Sequence, residues 1–201
     1  MHRLFEILLH LDYQVWFYIN TMWRNDVLDA ILPYLRNQWT WAPLYLFFLL
    51  FTTINFGRKG WMWCVFFLLT FALSDQISAH LIKPYVHRLR PCNNPYLADF
   101  VHLLVPCGSG YSFPSSHAAN HFGIAIFCSI TMQRFGKWIW PVALIWAASV
   151  AYAQVYVGVH FPLDVTCGAL IGILTGALTG KVFNRIYGLQ KTVEEPATSS
   201  N

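Results

Sequence analysis

The sequence predicts an all-α fold, an integral-membrane helical bundle of about five transmembrane helices with N-terminal interfacial helices. Two observations support this fold class. Of the 201 residues, 56% are hydrophobic and only 11% are charged, whereas soluble domains contain about 25% charged residues. Apolar segments of roughly 20 residues, the length that crosses a bilayer as a helix, also recur along the chain after its first 38 residues.

Residues 1–36 form the predicted N-terminal interfacial unit. Residues 1–23 carry an apolar stripe at helical spacing, interrupted by polar residues such as Asp12. The pattern indicates an amphipathic interfacial helix, and the alternative, a poor membrane span over residues 4–23, would raise the number of spans to six. Asn25–Leu35 is predicted to be a second short helix near the interface, with Asn25 or Asp26 as its N-cap. The stripe consists of Leu4, Ile7, Leu8, Leu11, Val15, Tyr18, Ile19 and Met22.

Residues 37–188 form the predicted transmembrane bundle. A long polar loop, residues 84–113, separates the second span from the third, and residues 189–201 are expected to be a disordered tail. Asp75, inside the second span, is either a functional group or a hydrogen-bond partner between helices. The last span carries four glycines at i, i+4 spacing, which favours close helix packing. The predicted spans are Trp39–Phe56, Trp61–Ile82, Ser116–Gln133, Trp138–Val155 and Leu163–Phe183, and the glycines are Gly168, Gly172, Gly176 and Gly180.

The distribution of basic residues predicts the orientation of the bundle. With the spans in alternation, the positive-inside rule places the C-terminus in the cytoplasm and the long loop outside. The cations on the predicted cytoplasmic side are Arg58, Lys59, Arg134, Lys137, Lys181, Arg185 and Lys191. We therefore expect a multi-pass protein of the inner, or cytoplasmic, membrane.

Two cysteines lie in the predicted outer loop, Cys92 and Cys107. In a bacterium the outer side is the periplasm, where disulfides persist. We predict that these two cysteines can pair, and two free thiols are the alternative. The three remaining cysteines fall within predicted spans and are expected to act as small hydrophobic residues.

Three polar stretches fall at the predicted outer ends of spans. In the first, Lys83 and Arg90 are cations suited to binding a phosphate, although lipid-headgroup contact is the alternative. In the second, Ser115 and Ser116 offer hydroxyls and backbone amides at a helix N-terminus, where anions bind. His117 follows them and is placed to protonate a leaving oxygen, although plain helix capping with a passive histidine is the alternative.

The third stretch contains His160 and, four residues later, Asp164. A carboxylate can fix the tautomer of an imidazole and stabilise the positive charge that develops when the ring acts as a nucleophile. A satisfied polar histidine at a helix start is the alternative for this pair taken alone. The three stretches together describe one site: an anion cradle, a nucleophile with its carboxylate, and a second histidine as the acid.

These stretches resemble the three-part signature of the type 2 phosphatidic acid phosphatase superfamily of integral-membrane lipid phosphatases. The first part matches fully, with Lys83, six intervening residues, then Arg90 and Pro91. In the second part, Pro114–His117, Ser116 takes the place of glycine. In the third part, Ala153 and Gln154 replace the Ser-Arg pair ahead of His160 and Asp164.

The second departure removes a charge, because the family's arginine at the position of Gln154 contacts the phosphate. Gln154 can still donate a hydrogen bond, and one to a charged group contributes about 1.5–3 kcal/mol. We hypothesise that Arg88, inside the first motif, supplies the missing charge.

The resemblance implies a mechanism that needs no metal or other cofactor. In it, His160 attacks phosphorus and forms a phosphohistidine, Asp164 orients His160, and His117 protonates the departing oxygen and then activates water. The implied phosphate-binding groups are Lys83, Arg90, Ser115, Ser116 and Gln154 with nearby backbone amides. The sequence also has no compact carboxylate cluster to hold a metal.

A site at the membrane surface suits a phosphate on a lipid anchor. The leading candidate is an isoprenoid lipid diphosphate, undecaprenyl diphosphate, hydrolysed to undecaprenyl phosphate, and the alternatives are phosphatidylglycerol phosphate, phosphatidic acid and the phosphates of lipid A. A non-catalytic lipid-phosphate binder or transporter is the alternative of another class. The expected partners are the lipid substrate and the bilayer, whereas the modest net charge of +4 does not indicate nucleic-acid binding. The oligomeric state stays open.

Overall fold

The computed structural model describes residues 2–189, and every regular element in this range is helical. The predicted all-α class is therefore confirmed. Of the predicted tail, only Leu189 is among the described residues. The α-helices are α1 (His2–Phe17), α2 (Asp26–Arg36), α3 (Ala42–Asp75), α4 (Lys83–Val86), α5 (Ser116–Met132), α6 (Ile139–Tyr156) and α7 (Pro162–Ile186). Shorter π and 3-10 segments cover Tyr18–Met22, Gln38–Trp41, Gln76–Ile82, Pro91–Asn93 and Gln133–Phe135.

Helix α3 is a hairpin of two helical halves, because its backbone breaks at Gly57 (φ 53°, ψ −124°). The halves approach so closely that a Cβ on Gly60 would lie 1.9 Å from the carbonyl oxygen of Thr52. The rings of Phe48 and Trp63, one on each half, have centroids 5.7 Å apart. The two halves correspond to the first and second predicted spans.

Three helical stretches of the described chain are long and apolar enough to cross a membrane: Gln38–Asn93, Ile139–Tyr156 and Pro162–Ile186. The first of these contains both halves of the hairpin. Helix α5, also predicted as a span, is the central helix and packs against α3, α6 and α7. The chain is thus a multi-pass membrane bundle around α5. Asp75, at the end of α3, accepts a hydrogen bond from Asn120 Nδ2 of α5 (3.1 Å). This contact favours the interpretation of Asp75 as a hydrogen-bond partner between helices.

The glycine stripe of α7 lies against α5, as its spacing predicts. A Cβ on Gly168, Gly172 or Gly176 would lie 2.2–2.3 Å from a backbone oxygen of α5 or of its N-cap residue. No larger residue therefore fits without displacing a helix. This contact matters for the site, because the N-termini of α5 and α7 carry the second and third motifs.

The apolar stripe of α1 faces away from the protein, whereas three other residues of the same helical segment, two of them polar, face inward. Leu4 and Leu11 are exposed, but Asp12, Trp16 and Asn20 are buried. The Asn20 amide donates to the backbone oxygens of Tyr156 (2.7 Å) and of the outer loop. Asp12 and Asn20, two of the polar interruptions of the stripe, therefore attach this segment to the bundle through their hydrogen bonds to Leu163 and Tyr156.

Helix α2 begins as predicted at an asparagine cap, with Asn25 Oδ1 accepting from the Leu28 amide (3.0 Å). It packs against the C-terminal half of α6, where Leu32 is buried against Ala153 and Tyr156. In the long loop, residues 84–113, Cys92 and Cys107 form the predicted disulfide.

Candidate active site

His160 and Asp164 lie at the start of α7 and are both buried. Asp164 Oδ2 accepts the backbone amide of Phe161 (2.9 Å), which fixes the carboxylate at the helix N-terminus. His160 Nδ1 lies 3.4 Å from the same oxygen. The backbone amide of His160 donates to the carbonyl oxygen of Gln154 (3.2 Å), so the end of α6 holds the histidine loop in place.

The surroundings of His160 keep its imidazole neutral. Burial lowers the pKa of His160 to about 4; Asp164 opposes this shift, and the nearby charges of Arg90 and Lys83 add to it. When Nδ1, the nitrogen nearer Asp164, carries the ring proton, the lone pair lies on Nε2. The ring is therefore held in the form that can act as a nucleophile.

The cations of the first motif lie next to the histidine and the serines. Arg90 Nη1 is 3.5 Å from His160 Nε2, and Arg90 Nε donates to the carbonyl oxygen of Gly110 (3.0 Å). Lys83 Nζ donates to Ser116 Oγ (3.4 Å), and Ser78 Oγ donates to the same hydroxyl (3.0 Å). The long loop and the end of the hairpin thus bring two positive charges to the N-termini of α5 and α7.

The second motif is tied directly to the third. The Ser115 amide donates to the backbone oxygen of Asp164 (2.9 Å), and Ser115 Oγ caps α5 by accepting from the Ala118 amide (3.4 Å). The ring of His117 lies parallel to that of His121, with centroids 6.4 Å apart. His117 also lines a cavity of about 510 Å³ between α2, α5 and the outer loop.

Arg88 does not take the role hypothesised for it. Its Nη1 donates to Asp164 Oδ1 (2.7 Å), its Nη2 pairs with Asp12 Oδ2, and its guanidinium lies over the Phe161 ring. Both carboxylates are fully buried, so the charge of Arg88 is neutralised within the protein. The hypothesis that Arg88 replaces the missing arginine charge is wrong.

Two residues at the site had no role in the sequence prediction. Asp12 of α1 pairs with Arg88 and accepts the Leu163 amide through Oδ1 (2.7 Å). Arg36, the last residue of α2, donates through Nε to Gln154 Oε1 (3.2 Å). A carboxylate inside an apolar segment was a weak signal for Asp12, but nothing in the local sequence of Arg36 indicates its contact.

The structure therefore brings the predicted residues of all three motifs to one end of the bundle. Lys83 and Ser116 are in contact, Arg90 approaches His160, and Ser115 is bonded to Asp164. Gln154 contacts the site through its backbone oxygen, whereas its side chain binds Arg36. This arrangement can surround a phosphoryl group with cations and helix N-termini while presenting an imidazole nitrogen to it.

Comparisons with known proteins show the family of the chain. The family model of the PAP2 superfamily matches residues 61–187. The chain is 33% identical to a lipid A 4'-phosphatase of Bacteroides thetaiotaomicron, over 83% of this chain and 74% of the relative. It is also 33% identical to an undecaprenyl-diphosphatase of Sulfolobus acidocaldarius, over 73% of this chain and 65% of the relative.

The fold is similar to a solved structure as well. The crystal structure of Aquifex aeolicus LpxE superposes with a TM-score of 0.66 at 32% identity, covering 85% of this chain and 95% of that one. The three motifs, one of them a full match, lie at one end of the bundle, and the family model covers more than half of the chain. The chain belongs to the PAP2 superfamily, and it is a membrane phosphatase that hydrolyses lipid phosphate esters.

Proposed function

We propose that this enzyme removes a phosphate from a phosphorylated glycolipid of the lipid A type through a phosphohistidine on His160. The observation that carries the mechanism is the position of His160: its Nδ1 faces Asp164 and its Nε2 faces Arg90. A nucleophile oriented by a carboxylate on one side and adjoining an anion-binding cation on the other is what phosphoryl transfer requires.

In the first step, the Nε2 lone pair of His160 forms a bond to phosphorus as the bond from phosphorus to the lipid oxygen breaks. Asp164 stabilises the positive charge that develops on the ring. Arg90 and Lys83, with the amides at the N-terminus of α5, bind the phosphoryl oxygens through the transition state.

His117 acts on the leaving group. It gives a proton to the departing lipid oxygen and then accepts one from the water that attacks the phosphohistidine. That attack breaks the nitrogen–phosphorus bond, returns the lone pair to His160 and releases inorganic phosphate. The leaving lipid alcohol then lies on the side of His117, next to the cavity that this histidine lines.

The choice of a glycolipid revises our expectation of undecaprenyl diphosphate. At equal identity, the lipid A 4'-phosphatase matches a larger share of this chain than the undecaprenyl-diphosphatase does. The cavity beside His117 is also lined by Tyr34, Asn37 and Gln38, which can hydrogen-bond a sugar headgroup. Undecaprenyl diphosphate becomes the second candidate, supported by the second relative.

We further propose that the site faces the outside of the inner membrane, with the C-terminus in the cytoplasm. The positive-inside distribution supports this orientation, because most cations at the active-site end have a local chemical role. Arg88 is paired with two carboxylates, and Lys83 and Arg90 adjoin the serines and His160. The disulfide in the outer loop also suits an oxidising compartment.

The test is a panel of lipid phosphates offered to purified wild type, His160→Ala and His10→Ala, with phosphate release as the readout. The panel contains lipid A, undecaprenyl diphosphate, phosphatidylglycerol phosphate and phosphatidic acid. We expect release to be fastest from lipid A, to vanish in His160→Ala and to persist in His10→Ala, because His10 is exposed on α1. Turnover by His160→Ala would overturn the mechanism, and binding without turnover by wild type would indicate a non-catalytic lipid-phosphate binder.

A further inference from the structure

The third motif of this chain has an uncharged residue, Gln154, where the family pattern has an arginine that contacts phosphate. Arg88 is not its substitute, because Asp12 and Asp164 neutralise it. We propose that Arg36, from a different helix, supplies the phosphate-binding guanidinium that the motif lacks, and that Gln154 holds it in position. This inference rests on the proposed phosphoryl transfer at His160.

The hydrogen bond between Arg36 and Gln154 orients the guanidinium group. Arg36 donates through Nε to Gln154 Oε1 at 3.2 Å. Because Nε is the inner nitrogen of the guanidinium, this bond fixes the plane of the group and leaves its terminal amino groups available to an anion. Gln154 is fully buried, and its Nε2 has no hydrogen-bond partner among residues 2–189. A buried amide donor without a partner is costly, and a phosphoryl oxygen would satisfy it.

Both residues lie at the site. Gln154 contacts both partners: its backbone oxygen accepts the amide of His160, the predicted nucleophile, and its side chain accepts from Arg36. Arg36 and His117 line the same cavity of about 510 Å³. Arg36 therefore contacts the residue that holds His160 and shares a cavity with the predicted acid.

No carboxylate among residues 2–189 forms an ion pair with Arg36. Within the described residues, the ion pairs of the active-site end involve Arg88, His102 and His160, and none includes Arg36. Burial, reinforced by the positive charge of Arg90, lowers the pKa of Arg36. Two half-buried guanidiniums that repel each other are stabilised when an anion binds between them, and a phosphoryl group carries the charge to do so.

The position of Arg36 is rigid because α2 is fixed to α6 along its length. At its start, the Tyr156 hydroxyl donates to Asp29 Oδ1 (2.7 Å) and accepts the Asn25 amide (3.0 Å). Further along, Leu32 is buried against Ala153 and Tyr156. A short helix docked in this way delivers its last residue to the side chain of Gln154, two residues before Tyr156.

The test removes the positive charge at residue 36 and then restores it at residue 154. We expect Arg36→Gln to lower kcat about 100-fold, the effect of removing one transition-state donor, and to raise the inhibition constant of inorganic phosphate about tenfold. Arg36→Lys should fall between wild type and Arg36→Gln, because lysine keeps the charge but not the planar fork. The double variant Arg36→Gln/Gln154→Arg restores the family arrangement. Its kcat should be at least tenfold higher than that of Arg36→Gln. Arg24→Gln, which removes an exposed arginine just before α2, is the matched control.

Rescue by the swap and the change in phosphate inhibition separate phosphate binding from a merely structural role, which would move neither. The inference is overturned if Arg36→Gln equals Arg24→Gln in both constants, or if the folded double variant recovers no activity. His160→Ala is measured in parallel: if it stays active, the proposed function fails, whereas an inactive His160→Ala beside a fully active Arg36→Gln removes this inference alone.

Discussion

Asp12 and Asp164, near opposite ends of the chain, bind the same guanidinium. Arg88 donates to Asp164 Oδ1 at 2.7 Å and pairs with Asp12 Oδ2, and both carboxylates have no exposed side-chain surface. Asp12 Oδ1 also accepts the Leu163 amide, between the two residues of the third motif. The N-terminal helix therefore helps to hold Asp164, the carboxylate that we propose orients His160.

We expect Asp12→Asn to lower kcat by about ten- to a hundredfold, because it weakens a charge-assisted bond worth about 1.5–3 kcal/mol and frees Arg88 to move from Asp164. Steady-state phosphate release from a lipid phosphate measures the effect. Asp99→Asn, which removes an exposed carboxylate in the outer loop, is the control. Equal activity in the two variants would show that the Arg88 bridge has no influence on the nucleophile.

Arg88→Met should reduce turnover while leaving phosphate binding nearly intact, since Arg88 positions Asp164 and has its charge neutralised by two carboxylates. We expect a loss in kcat of at least tenfold together with an inhibition constant for inorganic phosphate within about threefold of wild type. Inhibition assays on the purified variant test this. A large rise in that constant would instead return Arg88 to the phosphate-binding groups.

The buried state of His160 makes stability depend on pH. Its pKa is about 4 in the folded protein against 6.5 ordinarily, because burial disfavours the charged ring. Between these values the unfolded state binds more protons than the folded state, so stability falls as the pH falls from 6.5 towards 4.

We expect the melting temperature of the wild type to decrease more steeply over this window than that of His160→Gln. Thermal unfolding in detergent at a series of pH values tests it, with His10→Gln as the control that should keep the wild-type slope. Equal slopes for wild type and His160→Gln would contradict the buried, neutral state of the ring.

Substitution in the glycine stripe should separate α7 from α5. In Gly172→Ala, the new Cβ would lie 2.2 Å from the Ala119 carbonyl oxygen, and overpacking of this kind costs about 1–3 kcal/mol. We expect a lower melting temperature and reduced turnover, since the two helices carry the second and third motifs. Gly110→Ala, where a Cβ meets nothing within 4 Å, should behave as wild type. An unchanged Gly172→Ala protein would refute the close contact.

Breaking the disulfide should destabilise the outer loop. Cys92 and Cys107 close a loop with a sequence separation of 15, and chain entropy assigns about 3 kcal/mol to a crosslink of that length. We expect Cys92→Ser/Cys107→Ser to unfold at a lower temperature than wild type, and Cys167→Ser, which removes a free thiol, to unfold at the wild-type temperature. Mass measurement with and without reductant checks the bond itself, and two free thiols in protein from an oxidising compartment would contradict it.

The fold class followed from composition and period alone. Continuous apolar segments of about 20 residues favour helices in lipid, because a helix pairs its backbone groups within its own segment. Each predicted apolar segment falls almost wholly in a helix, and the glycines of the last one mark its contact with α5. The backbone breaks at Gly57, which lies between the first two predicted spans, Trp39–Phe56 and Trp61–Ile82.

The sequence by itself determined the helices and the family, because motif spacing and helical period are local properties. The motif residues can be identified without knowledge of the tertiary structure: Lys83, Arg90, His117, His160 and Asp164. Only the tertiary structure decided where the remaining charges go. Arg88, inside a motif, is turned to Asp164 by a carboxylate on α1, whereas Arg36, outside every motif, lies against Gln154. The interaction energy of a charge is largest with groups a few ångströms away. At this site those groups belong to helices that are distant in the chain.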